Sequence, residues 1–463
     1  MIMQRRLLLI NPWIADFTAF DLWSKPLGLL YIAKFLQHYG YEIDFIDLMD
    51  RARWQDTASD KFKDGRGKYR KTVLPKPPAL AQFPRRYGLY GASREQFATA
   101  LADQQPSDTI LVTSLIAYWY PGVVETVKIL REQFPSVPLI LGGIYASLYP
   151  EHARYTIKPD FLITGYGEKK VLRLLDELFG IDRDYARVPD FCDEGALPWQ
   201  FYPCLKSIAI LTSRGCPNRC TYCATYLLHK KFVQRQPEDV LREIRLVYDQ
   251  FNVRHIAFYD DALFANRDWH IIPILKGIIA AGMQIGLHSP NGLFARAINS
   301  ELAELMFAAG FQTVRLSLES TAPEIQKAST NKVSNATYIE AVNNLERAGF
   351  ARHSLETYLI MGLPGQTRQQ IADSINFVAD QGIVARLASF SPIPGTVEWE
   401  RARELNYVEN NMDPLMTNAT IFPFRTYDLG YDDYLALRQM ANDYNAANRQ
   451  NDNLNNEEYD GTD

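Results

Sequence analysis

The sequence predicts an α/β protein in two parts: an N-terminal doubly wound, Rossmann-like domain, then a partial (β/α)6 barrel of TIM type closed by a small helical C-terminal region. Three observations predict it. Strand and helix patterns alternate in two separate series, as parallel sheets require. A loop-rich stretch with Pro189, Pro198 and Pro203 separates the two series. Polar residues collect at the ends of the strands of the second series, where a barrel of this kind carries its chemistry.

The first series covers residues 1–180. Leu7 to Ile10 is a short apolar run, Leu27 to Tyr39 has helical periodicity ended by Gly40, and Tyr41 to Leu48 alternates as a strand. Charges, prolines (Pro75, Pro77, Pro78, Pro84) and glycines then interrupt the pattern, so residues 51–106 read as an insertion with little regular structure until a helix near Ser93 to Ala102. The winding resumes with a strand at Thr109 to Ser114, a helix at Tyr120 to Gln133, and a strand at Leu139 to Gly142 that runs into Gly142-Gly143. A last strand at Phe161 to Thr164 leads through Gly165-Tyr-Gly-Glu168 to a helix ending at Phe179. Such a domain takes ligands at the C-terminal ends of its strands, although most glycines there only make turns.

After a linker at residues 181–206, the barrel occupies residues 207–400. Its strands are expected at Ser207 to Thr212, His255 to Tyr259, Gln284 to His288, Thr313 to Leu318, Ser354 to Met361 and Arg386 to Ser391, with helices between, beginning at Glu238 to Tyr248. At the strand ends stand Cys216, Cys220 and Cys223, then Asp260-Asp261, His288 and Asn291, Glu319, Gly362-Leu-Pro-Gly365 and Ser391-Pro-Ile-Pro-Gly395. Residues 401–448 turn helical and aromatic, with Tyr427, Tyr431, Tyr434 and Tyr444, and are expected beside the barrel mouth. Residues 449–463, rich in Asn, Asp and Glu, read as a disordered tail.

The chain's 463 residues suffice for two to three cored domains, and its net charge of −5 gives no support to a nucleic-acid surface. Arg5-Arg6 followed by Leu7 to Ile10 is too short for a signal peptide because Asn11-Pro12 ends it. No apolar run approaches about 18 residues, so no membrane span is expected. Cys192 and Cys204 read as free thiols in a reducing, cytoplasmic setting.

The most informative feature is the C-x3-C-x2-C array inside Thr212-Ser-Arg-Gly-Cys-Pro-Asn-Arg-Cys-Thr-Tyr-Cys-Ala. Soft thiolates so closely spaced wrap one loop around an iron–sulfur cluster, and three ligands for four irons leave one iron open. Structural zinc usually takes four ligands, and no second Cys or His pair follows to complete them. Gly215 and Pro217 beside the thiols describe a ligand loop rather than a core element. The carboxylates have bland alternatives: Asp260 and Asp261 are also good helix caps. Glu319 near a barrel mouth costs energy unless paired. His288 and His353 read first as core histidines and second as catalytic candidates, with Tyr259 and Tyr358 as aromatic neighbours. Arg296 and Arg315 read first as surface salt-bridge formers and second as binders of a carboxylate ligand.

With Tyr222 before its last cysteine, the array resembles the signature of the radical S-adenosylmethionine (SAM) superfamily. That resemblance implies a 4Fe-4S cluster on Cys216, Cys220 and Cys223, whose open iron holds SAM and whose electron cleaves it to a 5′-deoxyadenosyl radical. It implies SAM contacts from Tyr222, Asp260 and Asp261 (the methionine ammonium), Ser317 and Glu319 (the ribose or methionine end) and Gly362 (beside the adenine).

A doubly wound domain ahead of such a barrel resembles the cobalamin-binding class of that superfamily. The resemblance runs through Lys25-Pro-Leu-Gly-Leu-Leu-Tyr-Ile-Ala33, Leu139-Ile-Leu-Gly-Gly-Ile-Tyr-Ala146 and Ile163-Thr-Gly-Tyr-Gly-Glu168, and through Ser289-Pro-Asn-Gly292 in the barrel. None of the seven histidines sits in the D-x-H-x-x-G context that supplies cobalt's lower ligand, as in members that bind cobalamin without one. The segment Thr113 to Tyr120, with Ser114 and Tyr118, would then face the lower side of cobalamin, and Gly142, Gly143 and Gly165 its corrin and tail.

The activity implied is radical abstraction of hydrogen from a small-molecule or natural-product substrate with methyl transfer from methylcobalamin. A non-methylating rearrangement, cyclisation or oxidation is the enzymatic alternative, and a non-catalytic cobalamin or SAM sensor the other. The electron donor implied is a flavodoxin or ferredoxin. Methylthio transfer to RNA would call for three further N-terminal cysteines, which this chain lacks.

Overall fold

The computed structural model describes residues 5–58, 60–191, 195–328, 332–423 and 429–450. The chain divides into two compact units, residues 1–208 with 242–253, and residues 209–241 with 254–463.

The first unit is built on five parallel strands: β1 (Arg6–Asn11), β2 (Glu42–Asp47), β3 (Thr109–Val112), β4 (Leu139–Leu141) and β5 (Phe161–Leu162), in the order β5-β4-β3-β1-β2. Leu7, Leu8, Leu9 and Ile10 of the central β1 are fully buried, so the strand reads as a continuous apolar run rather than an alternation. Helices α1 (Leu27–His38), α2 (Arg94–Ala102), α3 (Tyr120–Gln133) and α4 (Glu168–Phe179) complete the winding. Strand order reverses between β1 and β3, so the crevice outside their C-terminal ends is the natural ligand position.

Residues 51–106 hold more regular structure than expected. Lys71–Val73 and Gly88–Tyr90 join Ile14–Asp16 in a three-stranded antiparallel sheet. Tyr90 and Tyr87 anchor it by donating to the carbonyls of Phe17 (2.8 Å) and Ala15 (3.0 Å). Strands of three residues are too short to display a period-two pattern, so the prolines and charges around them dominate the sequence signal. Helix α2 starts where expected because Ser93 and Gln96 form a reciprocal capping box. The linker also packs: Trp199 is fully buried, and Tyr202 donates to Asp47 Oδ2 at 2.9 Å.

The barrel strands are β6 (Ser207–Ile210), β7 (His255–Phe258), β8 (Gly286–His288), β9 (Phe311–Glu319), β10 (Leu355–Met361) and β11 (Val384–Ser389), lying side by side in chain order. Helices α5 (Pro237–Gln250), α6 (Ile271–Ala280), α7 (Ser300–Ala308), α8 (Asn335–Arg347) and α9 (Arg368–Asp380) connect them, and α10 (Val397–Glu404) and α11 (Tyr431–Gln450) follow. The register shifts between Ser317 and Glu319, and Glu319 takes a left-handed φ of 67°. Irregularities of this kind re-aim a side chain at a strand end.

The C-terminal region does not sit wholly at the mouth. Ser391, just past β11, donates to the Thr417 carbonyl at 2.6 Å, so that stretch does cover strand ends. Helix α11 instead runs along the outer edge of β11, where Asn445 accepts from Ala385 N–H (2.8 Å) and donates to its carbonyl (2.9 Å). A six-stranded partial barrel leaves this edge without a strand partner, and covering it is the standard remedy. Tyr427 and residues 451–463 lie outside the described residues, as does Cys192. No helix among the described residues is long and apolar enough to cross a membrane.

Candidate active site

The cysteine loop leaves β6 and is closed at its base by an antiparallel ribbon, Ser213–Arg214 against Val233–Gln234. Gly215, at φ 82°, lets the two limbs approach; a Cβ there would lie 2.9 Å from the Lys231 carbonyl. Cys220 is buried, and Cys216 and Cys223 are half-buried. Thr225 fixes the end of the loop, with its hydroxyl 3.2 Å from Cys223 Sγ. The middle is held by a residue that sequence reasoning missed. Glu398, in the first turn of α10 and 1% exposed, accepts from the Thr221 hydroxyl at 2.7 Å and donates its N–H to the Thr221 carbonyl. In the sequence it looks like any acidic residue opening a helix.

The donor chemistry fits a three-thiolate cluster. Among the described residues no three His, Cys, Asp or Glu side chains are already gathered as a metal site; the thiols share one loop instead. Burial pushes the Cys216 thiol up to about 11, a bias that a bound metal cation reverses. A structural zinc site takes four ligands, whereas a cluster with an open iron takes three.

Asp260 differs from its expected role at the SAM ammonium. Its carboxylate, 3% exposed, accepts from Thr212 N–H (3.0 and 3.1 Å), the Thr212 hydroxyl (2.8 Å) and the Ser213 hydroxyl (2.5 Å). It is committed to the turn that launches the cysteine loop, because the strand beside β7 presents these donors directly opposite. Burial raises its carboxyl above the ordinary range while these bonds pull it down. His270, also unflagged by the sequence, completes the chain with Nε2 at 2.9 Å from Thr212 Oγ1. Since Thr212 donates to Asp260, its oxygen accepts from His270, which assigns the Nε2–H tautomer by the network. Burial, then Arg235, lowers this imidazole to about 4, so it stays neutral. Asp261 is the exposed member of the pair, bonded to the Thr225 side chain and within electrostatic reach of Cys216.

Glu319 is buried and paired with Lys332 at 2.6 Å. Burial by itself lowers Lys332, but Glu319 and then Cys220 and Cys223 hold the ammonium above its usual range. Lys332 lies 5.9 Å from the ring centres of both Tyr222 and Phe294. The pair therefore brings a cation within electrostatic reach of two of the three thiols. Ser317 packs its hydroxyl against Gly292, where a Cβ would sit 1.9 Å from it, and Asn291 donates to the Tyr259 carbonyl at 2.9 Å. Tyr222 packs on an apolar cluster that includes Leu363, Phe390, Trp399 and Phe422. Gly362 does not offer the open backbone expected beside an adenine. Its N–H donates to Gln366 at 2.9 Å, and a Cβ there would meet Pro423 at 2.6 Å.

Inside the barrel Arg315 is buried and donates to Glu356 (2.6 Å) and Tyr358 (2.9 Å), rather than forming a surface salt bridge. His288 is a satisfied core histidine, between His255 (3.1 Å) and Thr313 (3.0 Å). His353 lies in a short turn before β10, and Arg296 is exposed.

In the first unit Ser114 donates to the Gly142 carbonyl at 2.6 Å, and a Cβ at Gly143 would collide with the Ser114 backbone at 2.2 Å. These two residues join the ends of β3 and β4. A Cβ at Gly142 or Gly165 would meet its nearest neighbour at an ordinary contact distance of 3.7 Å. Trp119 is turned inward by Asp16 (2.7 Å), Tyr118 is half-buried, and Ile116 and Ile144 stay exposed after β3 and β4. Two isoleucines left exposed after β3 and β4 are compatible with the apolar face of a corrin ring.

Residues 210–378 match the pattern of the radical SAM superfamily. Over 195 residues the chain is 28% identical to an uncharacterized methyltransferase of Pyrococcus horikoshii, a match covering 42% of this chain and 41% of that protein. It thus spans well under two thirds of that relative. It is 23% identical to the cytidylyl-2-hydroxyethylphosphonate methyltransferase of Streptomyces wedmorensis, across 85% of this chain and 80% of that one. In fold it resembles the radical S-adenosylmethionine methyltransferase TsrM of Kitasatospora setae, with a TM-score of 0.64 at 16% identity over 89% of this chain and 79% of that one. Residues 210–378 thus form a radical SAM domain. The arrangement of a doubly wound domain ahead of a partial barrel is shared in fold with the TsrM structure.

Proposed function

We propose that this protein binds a 4Fe-4S cluster through Cys216, Cys220 and Cys223, cleaves SAM reductively, and uses cobalamin held by the first unit to methylate an unactivated carbon of a small molecule. The observation that carries the proposal is the three-cysteine loop at the end of β6, clamped by Asp260 and Glu398 and faced by the cation of Lys332. When bound, the cluster with SAM supplies a 5′-deoxyadenosyl radical, and cobalamin carries the methyl group.

The chain's own residues do the rest. Asp260, Thr212 and His270 fix where the loop starts, and Glu398 fixes its middle. Lys332 places a positive charge where thiolates and an anionic cluster would otherwise repel one another. Asp261, solvent-accessible where Asp260 is not, is the carboxylate left for the SAM ammonium. The methyltransferase names of both relatives support methyl transfer, while cyclases of Cereibacter sphaeroides and Rubrivivax gelatinosus at similar identity keep the non-methylating alternative open to the test below.

The test is anaerobic turnover of the iron-reconstituted protein, supplied with hydroxocobalamin, strong reductant and SAM labelled in its methyl group. Cobalt that stays with the protein through gel filtration and acquires the labelled methyl supports the proposal. Cleavage of SAM without retained cobalt moves the assignment to a rearrangement, cyclisation or oxidation. A flavodoxin or ferredoxin is the donor expected to replace the chemical reductant.

A further inference from the structure

Glu319 closes β9, and Lys332 reaches it from the segment ahead of α8. The register shift between Ser317 and Glu319, with the left-handed φ of 67°, re-aims the Glu319 side chain at the strand end. Lys332 stands two residues ahead of Ser334, which forms with Thr337 the capping box that starts α8, so its backbone is tied to a helix end. The two side chains meet at 2.6 Å and are nearly closed to solvent, 7% exposed for Lys332 and 11% for Glu319.

A buried ion pair is a poor way to gain stability, because desolvating two charges offsets most of their attraction and an apolar pair of similar volume does as well. What distinguishes this pair is where the cation stands. Lys332 Nζ lies 5.9 Å from the ring centre of Tyr222, the residue between Thr221 and Cys223, and both Cys220 and Cys223 act on it electrostatically. The Phe294 ring centre is at the same 5.9 Å. Aromatic surface thus lines the ammonium, and a charge so enclosed is little screened by salt.

We infer that Lys332 tunes the redox centre: its fixed positive charge raises the potential at which a cluster on Cys216, Cys220 and Cys223 accepts an electron, and Glu319 holds it in place. This rests on the reading of the three thiols as cluster ligands. One-electron reduction adds a negative charge to a group that already carries three thiolates, and the potentials of such centres follow local charge. A cation within reach favours the reduced form over the oxidised one, because Coulomb attraction grows with the charge it meets. The electron comes from the one-electron donor, and Lys332 keeps its proton throughout. Its effect is to make the cluster reducible by a milder donor.

The experiment is a redox titration of the iron-reconstituted protein without SAM, following the electron paramagnetic resonance signal of the reduced cluster. Lys332→Met is expected to shift the reduction equilibrium about tenfold or more toward the oxidised form, a fall of about 59 mV in midpoint. Lys332→Arg keeps the charge and stays near the wild-type value. Lys332→Met combined with Glu319→Gln removes both charges and strands no carboxylate, and its midpoint also falls. Equal midpoints in wild type and Lys332→Met overturn the inference. So does a double variant that titrates like the wild type, which would trace the effect of the single change to the stranded Glu319. A difference that appears only once SAM is bound overturns it too, since Lys332 would then act through SAM. If both Lys332→Met proteins fail to hold the cluster that the wild type holds, Lys332 is a structural residue of the loop and the tuning role falls. Iron and sulfide per wild-type chain judge the cluster reading separately: a wild type without a cluster sinks that reading and this inference with it, whereas a loaded wild type with unmoved midpoints sinks the inference alone.

Discussion

Asp260 shows how a correct chemical intuition at one residue can attach to the wrong partner. A buried carboxylate at a strand end must be satisfied, and the sequence shows the carboxylate but not that Thr212 and Ser213, just past β6, are the donors that satisfy it. Its task is therefore positioning. Asp260→Ala removes acceptors from two hydroxyls and a backbone N–H, and is expected to lower iron retained after reconstitution several-fold, whereas Asp260→Asn retains part of it. Iron per chain measured on monomeric fractions checks this; full iron loading in Asp260→Ala contradicts it.

A second residue-level prediction concerns the first unit. Asp50 is 2% exposed, and one of its carboxylate oxygens has no hydrogen-bond partner. Burial raises it to about 6 against the pull of Lys25. A carboxyl raised in the folded state favours folding below its unfolded value near 3.8, and that contribution disappears as pH rises through 6. Asp50→Asn should thus stabilise the protein at pH 8, by about 3 kcal/mol at most, and have no such effect near pH 4. Urea titrations at both values decide; equal effects at the two pH values count against it.

At the scale of elements, the long ones were legible. Helix α3 begins and ends where its periodicity says, and the barrel strands fall within a few residues of their apolar runs. What escaped was either short or dependent on distant partners. The three-residue strands of the insertion carry no period, and α11 could not be placed because nothing in its own sequence names β11 as its neighbour. Asn445 is the residue that ties them. Asn445→Leu leaves two backbone groups of Ala385 without their partner and should cost about 1–3 kcal/mol, read as a shift in urea midpoint. An unchanged midpoint would mean that α11 does not protect this edge.

For the whole molecule, chemistry-bearing residues were visible in sequence where a local motif carries them, as in the cysteine loop, and invisible where they act through space. Glu398 and Lys332 lie far along the chain from the thiols they serve, and no spacing rule connects them. Gly362 erred in the other direction: its motif suggested an open backbone that Pro423 covers. The two units keep the organisation of a doubly wound sheet and a partial barrel, and the central claim rests on the thiols of the second.

That claim is tested most directly by quantifying 5′-deoxyadenosine after anaerobic reduction of the iron-reconstituted protein with SAM, beside Cys220→Ala treated identically. The account predicts about four irons per chain and SAM cleavage in the wild type, with cleavage at background in a Cys220→Ala protein that remains folded. Equal cleavage by the two proteins, or a wild type that takes up no cluster, would contradict it.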